Sequence, residues 1–149
     1  MVIDDADPAT MDSLEYARVV KKAPSAELVR VMSGPRRAEI LGKLVRGMPD
    51  AFRAEVAGPL RAVVHWRLGG RADGGHDVFE MVIADGVCTV SPEPGGEPHL
   101  VLTANAADFV RLVTGNTHAV MLVMTGKLRT RGDLALTAKF PHLFAAPKP

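Results

Sequence analysis

The stretch Phe79-Glu80-Met81-Val82-Ile83-Ala84-Asp85-Gly86-Val87-Cys88-Thr89-Val90 decides the fold. Phe79, Met81 and Ile83 alternate with Glu80 and Val82, the period of a strand buried on one face. Asp85-Gly86 is a strong two-residue hairpin signal. Folding the chain there sets Ile83 opposite Cys88 and Met81 opposite Val90. On the other face it sets Val82 opposite Thr89 and Glu80 opposite Ser91. The two faces agree in polarity, and a one-residue slip would exchange them, so the pattern specifies the register.

Upstream, Ala62, Val64, Trp66 and Leu68 alternate with Arg61, His65 and Arg67, which reads as a strand. The glycine-rich piece Gly69 to Gly75 connects the two as a mobile hairpin loop. Downstream, Pro92 to Pro98 is a turn region, and Leu100 and Leu102 mark a fourth strand. In Thr125-Gly126-Lys127-Leu128-Arg129-Thr130-Arg131-Gly132-Asp133-Leu134, Lys127, Arg129 and Arg131 alternate with Leu128 and Thr130 as a fifth strand. Asp133 then caps a last helix, which Pro141 should kink or end.

Before Gly58-Pro59 the period is helical. Asp12 and Glu15 form a capping pair for a short helix closed by Pro24, and Ser25 caps a second carrying Leu28, Val29 and Met32. Ile40, Leu41, Leu44, Val45 and Met48 give a third, expected to end at Pro49-Asp50. Asn105 with Asp108 opens a helix with Phe109, Leu112 and Val113 on its apolar side, stopped by Gly115. His118 to Thr125 is a short helix that is apolar almost all round. Helices, four strands, two helices, a strand and a helix make an α+β chain: one five-stranded, mostly antiparallel sheet with helices packed on one face. The polar residues of the first three strands mark the opposite, solvated face.

At 149 residues the chain suits one domain with a sizeable core. We expect residues 1–24 to form a leader with a short helix, and residues 25–149 the domain itself. A net charge of +1 gives no electrostatic reason to bind nucleic acid. Aromatics make up only 5% against 7 Met, so aliphatic and thioether side chains must supply the interior volume. Cys88 stands alone, which suits a reducing compartment. The acidic start resembles no signal peptide. The longest apolar run, Ala119 to Met124, is far short of the roughly 20 residues that span a bilayer. The expected location is therefore the cytoplasm.

The strand run Val63 to Leu68 and Ile83 to Val90, the pair Leu100-Val101-Leu102-Thr103 and Asp108-Phe109, then Thr114-Gly115-Asn116, Met124-Thr125-Gly126-Lys127-Leu128 and Gly132-Asp133-Leu134 stand in a telling order. This order resembles the sterol carrier protein 2 lipid-binding family, of stand-alone bacterial type, over roughly residues 35 to 145. The resemblance implies an apolar tunnel between sheet and helices for fatty acids, acyl-CoA or sterol-like molecules. The cavity residues expected on that basis are Trp66, Phe79, Met81, Ile83, Phe109, Leu112, Val113, Val120, Met121, Met124, Leu134, Phe140, Leu143 and Phe144. An all-apolar helix such as Ala119 to Met124 must be buried, or lie against a ligand or membrane.

No catalytic residue, metal site or cofactor is expected. The five histidines show no ligand spacing, Gly126-Lys127 is followed by Leu128 and not by Ser or Thr, and no G-x-S-x-G elbow occurs. Lys127, Arg129 and Arg131 read as a protected edge strand, or as a transient contact with anionic lipid surfaces. The expected partner is an apolar small molecule, and the oligomeric state stays open. Two other readings remain: an enzyme or accessory factor acting on an apolar metabolite, and an assembly module.

Overall fold

The computed structural model describes residues 1–149. The helices are α1 (Ser13–Lys22), α2 (Ser25–Met32), α3 (Arg37–Ala51), α4 (Ala54–Ala57), α5 (Ala106–Val113), α6 (Ala119–Met124) and α7 (Leu134–Lys139). The strands are β1 (Ala62–Gly69), β2 (Asp77–Ala84), β3 (Val87–Ser91), β4 (Leu100–Asn105) and β5 (Leu128–Gly132). They form one sheet in the order β3-β2-β1-β4-β5. All pairings are antiparallel except β1 with β4, so the sheet is mixed.

The β2–β3 hairpin has the register read from its polarity: Ile83 opposite Cys88, Met81 opposite Val90, Glu80 opposite Ser91. Asp85 and Gly86 take φ of 53° and 74°, the left-handed pair that matches the strand twist. Val64, Trp66, Leu68, Met81, Ile83, Leu100 and Leu102 bury the inner face against the helices. Trp66 packs edge-on against Phe109 of α5, ring centres 5.0 Å apart.

Four helix ends depart from expectation. Pro24, not Ser25, is the N-cap of α2, and the Ser25 hydroxyl accepts from Arg111 Nη2 at 2.9 Å. Pro49 lies inside the last turn of α3, which runs on to Ala51. One missing N–H is tolerated there because few hydrogen bonds follow it. Asp12 and Asn105 occupy N-cap positions without a side-chain cap bond, whereas Asp133 Oδ1 accepts from Leu136 N at 2.8 Å.

The outer face is only partly solvated. Glu80 Oε2 accepts from Gly95 N at 3.0 Å and Gly96 N at 2.8 Å, which folds the 92–98 turn back over the sheet. His65 Nε2 lies 3.0 Å from the same oxygen. The Gly96 N–H, with the His65 bond second, holds the Glu80 carboxyl below the usual range.

Arg37 is the one fully buried cation, 6% exposed. Its Nε donates to Asp77 Oδ2 at 3.0 Å, Nη1 to the carbonyls of Met32 (3.0 Å) and Gly69 (2.9 Å), and Nη2 to Leu68 O at 2.7 Å. Two buried polar atoms have no partner within the chain, Tyr16 Oη and Trp66 Nε1. Burial pushes the Tyr16 phenol up to about 12.

Arg37→Ala should cost about 3 kcal/mol or more in urea unfolding, since it strands three carbonyls and Asp77. Arg37→Lys should recover little of it, because one ammonium cannot reach the ends of three segments. Tyr16→Phe should leave the protein as stable or up to about 1 kcal/mol more stable, by removing an unpaired buried hydroxyl. A loss of that size instead would mean that the hydroxyl has a partner in solution.

Candidate functional site

Between the inner face of β1, β4 and β5 and the helices lies a cavity of about 1230 Å³. Its floor is Trp66, Leu102, Leu128 and Thr130. Leu112, Val113 and Thr114 at the end of α5 form one wall, and Leu44, Gly47, Met48 and Ala51 of α3 another. Ala119, Val120, Val123 and Met124 of α6 lie at its rim, and Leu14 and Tyr16 of α1 reach it from the N-terminal side.

The space follows from local sequence. Helices α6 and α7 have only six residues each, and each buries a single large side chain, Leu122 and Leu136. Pro141 follows α7 in a short 3-10 turn, Phe140–His142, as its missing N–H dictates. Helices this short, with one anchor each, bring little bulk to the layer beside α5. Gly47, Ala51, Ala119 and Thr130 keep several lining positions small.

The C-terminal segment crosses the cavity as a strap. Arg53 N donates to Leu143 O at 2.7 Å and Ala145 N to Ala51 O at 2.9 Å. Phe144 packs with its ring tilted between Phe52 (5.6 Å) and Phe140 (5.4 Å), and Phe140 lies 6.0 Å from Trp66. Further on, the Pro147 carbonyl sits directly on Gly115, where a Cβ would collide with it. Phe144, Ala145, Ala146, Pro147 and Lys148 all line the cavity.

Polar side chains are a minority of the lining, and Lys43, Thr114 and Thr137 among them are engaged within the chain. Lys43 lies at the edge and pairs with Asp7 and Glu39, both at 2.9 Å. Hydrogen bonds to Lys43 hold both carboxyls below their usual values. Thr114 Oγ1 donates to Val110 O at 2.7 Å. His118 and His142 border the cavity, while His65, His76 and His99 are bonded elsewhere to Glu80, Arg67 and Val63 N. No three His, Cys, Asp or Glu side chains converge where they could hold a metal ion. Cys88 is buried, its thiol pushed up to about 11.

Of the residues expected at the cavity, Trp66, Leu112, Val113, Val120, Met124, Phe140 and Phe144 line it. Met81, Ile83, Phe109 and Leu143 are fully buried in the core and do not reach it, and Phe79 packs on the core beside them. They fill the β1–β2 side, where helices sit directly on the sheet. Met121 and Leu134 point to solvent, 57% and 85% exposed. Leu44, Met48, Leu102 and Leu128 line the cavity without having been singled out. Their apolar periodicity was visible, but it marks a face and not the gap above it. Helix α6 is not buried as its composition suggested: only Leu122 is, and Val120, Val123 and Met124 are also exposed.

A sequence model described as the SCP-2 sterol transfer family matches residues 41–145. The bovine (Bos taurus) hydroxysteroid dehydrogenase-like protein 2 is 28% identical over 134 residues, covering 85% of this chain and 32% of that protein. The chain thus spans about a third of that relative's length. Among solved structures, sterol carrier protein domain 2 of Helicoverpa armigera superposes with a TM-score of 0.52 at 15% identity, covering 78% of this chain and 82% of the other. The sec-alkylsulfatase Pisa1 from Pseudomonas sp. gives 0.60 at 12% identity, covering 76% of this chain and 18% of that one. These two likenesses are of fold. With the α+β layers, the mixed five-stranded sheet and the matched segment running from α3 to the strap, the chain belongs to the SCP-2 sterol transfer family.

Proposed function

We propose that this chain binds an apolar lipid in the cavity over β1, β4 and β5 and carries it unaltered. The lipid would be a fatty acid, a fatty acyl-CoA or a sterol-like molecule. The observation that carries this reading is the cavity itself, about 1230 Å³ and walled by side chains such as Trp66, Leu102, Leu112, Leu128 and Phe140. Small-molecule sites span about 300–1,000 Å³, so a long chain or a fused-ring body has room. Membership of a family described by sterol transfer supports the same reading. So does the fold shared with a domain named as a sterol carrier.

Binding would draw on apolar transfer, roughly 0.8 kcal/mol per buried CH₂. That force has no direction, so selectivity among chains of similar bulk should be broad. Residues 25–149 would hold most of the ligand, with the 1–24 leader lending Leu14 and Tyr16 to one wall. The lone buried Cys88 suits work in a reducing cytoplasm.

Native mass spectrometry of the protein purified from cells, followed by organic extraction, tests this directly. About one co-purified acyl or sterol-like molecule per chain is the expected result. Delipidated protein that takes up no palmitate, palmitoyl-CoA or cholesterol would remove the proposal. Leu112→Trp, which displaces about two methylenes of ligand, should weaken palmitate uptake about tenfold with the fold intact by circular dichroism.

A further inference from the structure

We infer that the cavity takes a lipid carrying a neutral oxygen, a hydroxyl or a carbonyl, and that Tyr16 and Trp66 are the donors that recognise it. The inference rests on the lipid-binding reading above and adds the polar feature such a lipid must have.

Only two fully buried side-chain N or O atoms lack a partner within the chain, Tyr16 Oη and Trp66 Nε1. Both residues are 2% exposed, and both line the same cavity. The rings packed on Trp66, those of Phe109 and Phe140, offer its N–H no oxygen. A buried donor without an acceptor forfeits the hydrogen bond it had in water. Interiors pair nearly all such groups, so the partner of an orphan is to be sought in what fills the space it borders. Here both orphans border one space.

The chemistry of the pair defines the partner. An indole N–H only donates. Burial pushes the Tyr16 phenol up to about 12, so it keeps its proton and can donate too. Two donors need an acceptor, and in a lipid the acceptor is oxygen. Charge decides which oxygen. Of the cations lining the cavity, Lys43 is paired with Asp7 and Glu39, and Lys148 is exposed on the strap. His118 and His142 are exposed as well. A carboxylate drawn inside would lose its hydration without a counter-charge, so it would stay at the rim. A hydroxyl or a carbonyl is far cheaper to bury once it accepts a hydrogen bond. The hydroxyl of a sterol-like molecule and the thioester carbonyl of an acyl-CoA both meet this condition.

Bulk would still be read loosely, but a lipid without the oxygen leaves the donors unpaired, and a site of that kind discriminates against it. Tyr16 stands in α1, outside the matched segment 41–145, so this donor comes from the part of the chain that precedes the match.

The test uses three compounds of equal heavy-atom number: dodecyl alcohol, methyl decyl ketone and tridecane. Delipidated protein is equilibrated with silicone oil holding them in equal amounts, and the bound compounds are extracted and measured by gas chromatography. The alcohol and the ketone should each be enriched about tenfold over tridecane, relative to the oil. Tyr16→Phe should cut that enrichment about fivefold. A purely structural role for the hydroxyl would change uptake of all three alike and leave the ratio as it was. Trp66 is the only tryptophan, so its indole N–H gives a single side-chain peak in a proton–nitrogen correlation spectrum. That peak should move downfield with the alcohol or the ketone bound, and not with tridecane. Either residue's response supports the inference for that donor, and enrichment of one oxygenated compound alone would assign the site to hydroxyls or to carbonyls. Equal uptake of all three would overturn the inference and leave lipid binding standing. So would an unmoved ratio in Tyr16→Phe together with one indole position whichever compound is bound, since water would then be the donors' partner. Uptake of none of the three, nor of palmitate, would remove the proposed function and this inference with it.

Discussion

The buried guanidinium of Arg37 ties together three segments with hydrogen bonds. It donates to Met32 at the end of α2, to Leu68 and Gly69 at the end of β1, and to Asp77 at the start of β2. Burying a cation is costly unless every donor finds an acceptor, and a planar fork with several fixed N–H groups suits acceptors on separate elements. The result is one firm join between the helical layer and the β1–β2 side of the sheet. Trp66 against Phe109 continues that join toward the middle.

Away from the join, the layers separate. Helix α5 meets β4 and the short α6 meets β5, α6 and α7 carry one buried anchor each, and the chain leaves α7 through the turn at Pro141. Close packing is the default for interiors, so a cavity of about 1230 Å³ needs a cause. Here the cause is too little helix for the width of the sheet. The strap from Phe144 to Lys148 covers the gap without filling it, pinned at Ala51 and against Gly115. The exposed α6 side chains belong to the same economy of anchors. A six-residue helix that rests on Leu122 leaves the rest of its apolar surface outward.

Much of this was legible residue by residue. Alternation in Phe79–Val90 with Asp85-Gly86 specified the hairpin and its register, because polarity on the two faces allows only one alignment. Asp133 announced α7, and its carboxylate does cap Leu136 N. Trp66, Leu112, Val113, Phe140 and Phe144 were legible as apolar, and they line the cavity. Met81, Ile83 and Phe109 look the same in sequence, yet they lie in solid core. Hydrophobic pattern tells which face turns inward but not how far away the opposing layer stands. The buried Arg37 gave no signal either. It sits among Arg36, Lys43 and Arg46, and only the carbonyls of distant strands distinguish it.

The sequence by itself determined the elements, their order, the hairpin register and the layered α+β class. These depend on local period, turn chemistry and capping, which act between neighbours in the chain. Tertiary structure alone decided the parallel pairing of β1 with β4, the buried join at Arg37, the cavity and the outward face of α6. Each of these depends on distances between segments far apart in sequence, and a residue's type records what it can bury but not what will come to lie against it.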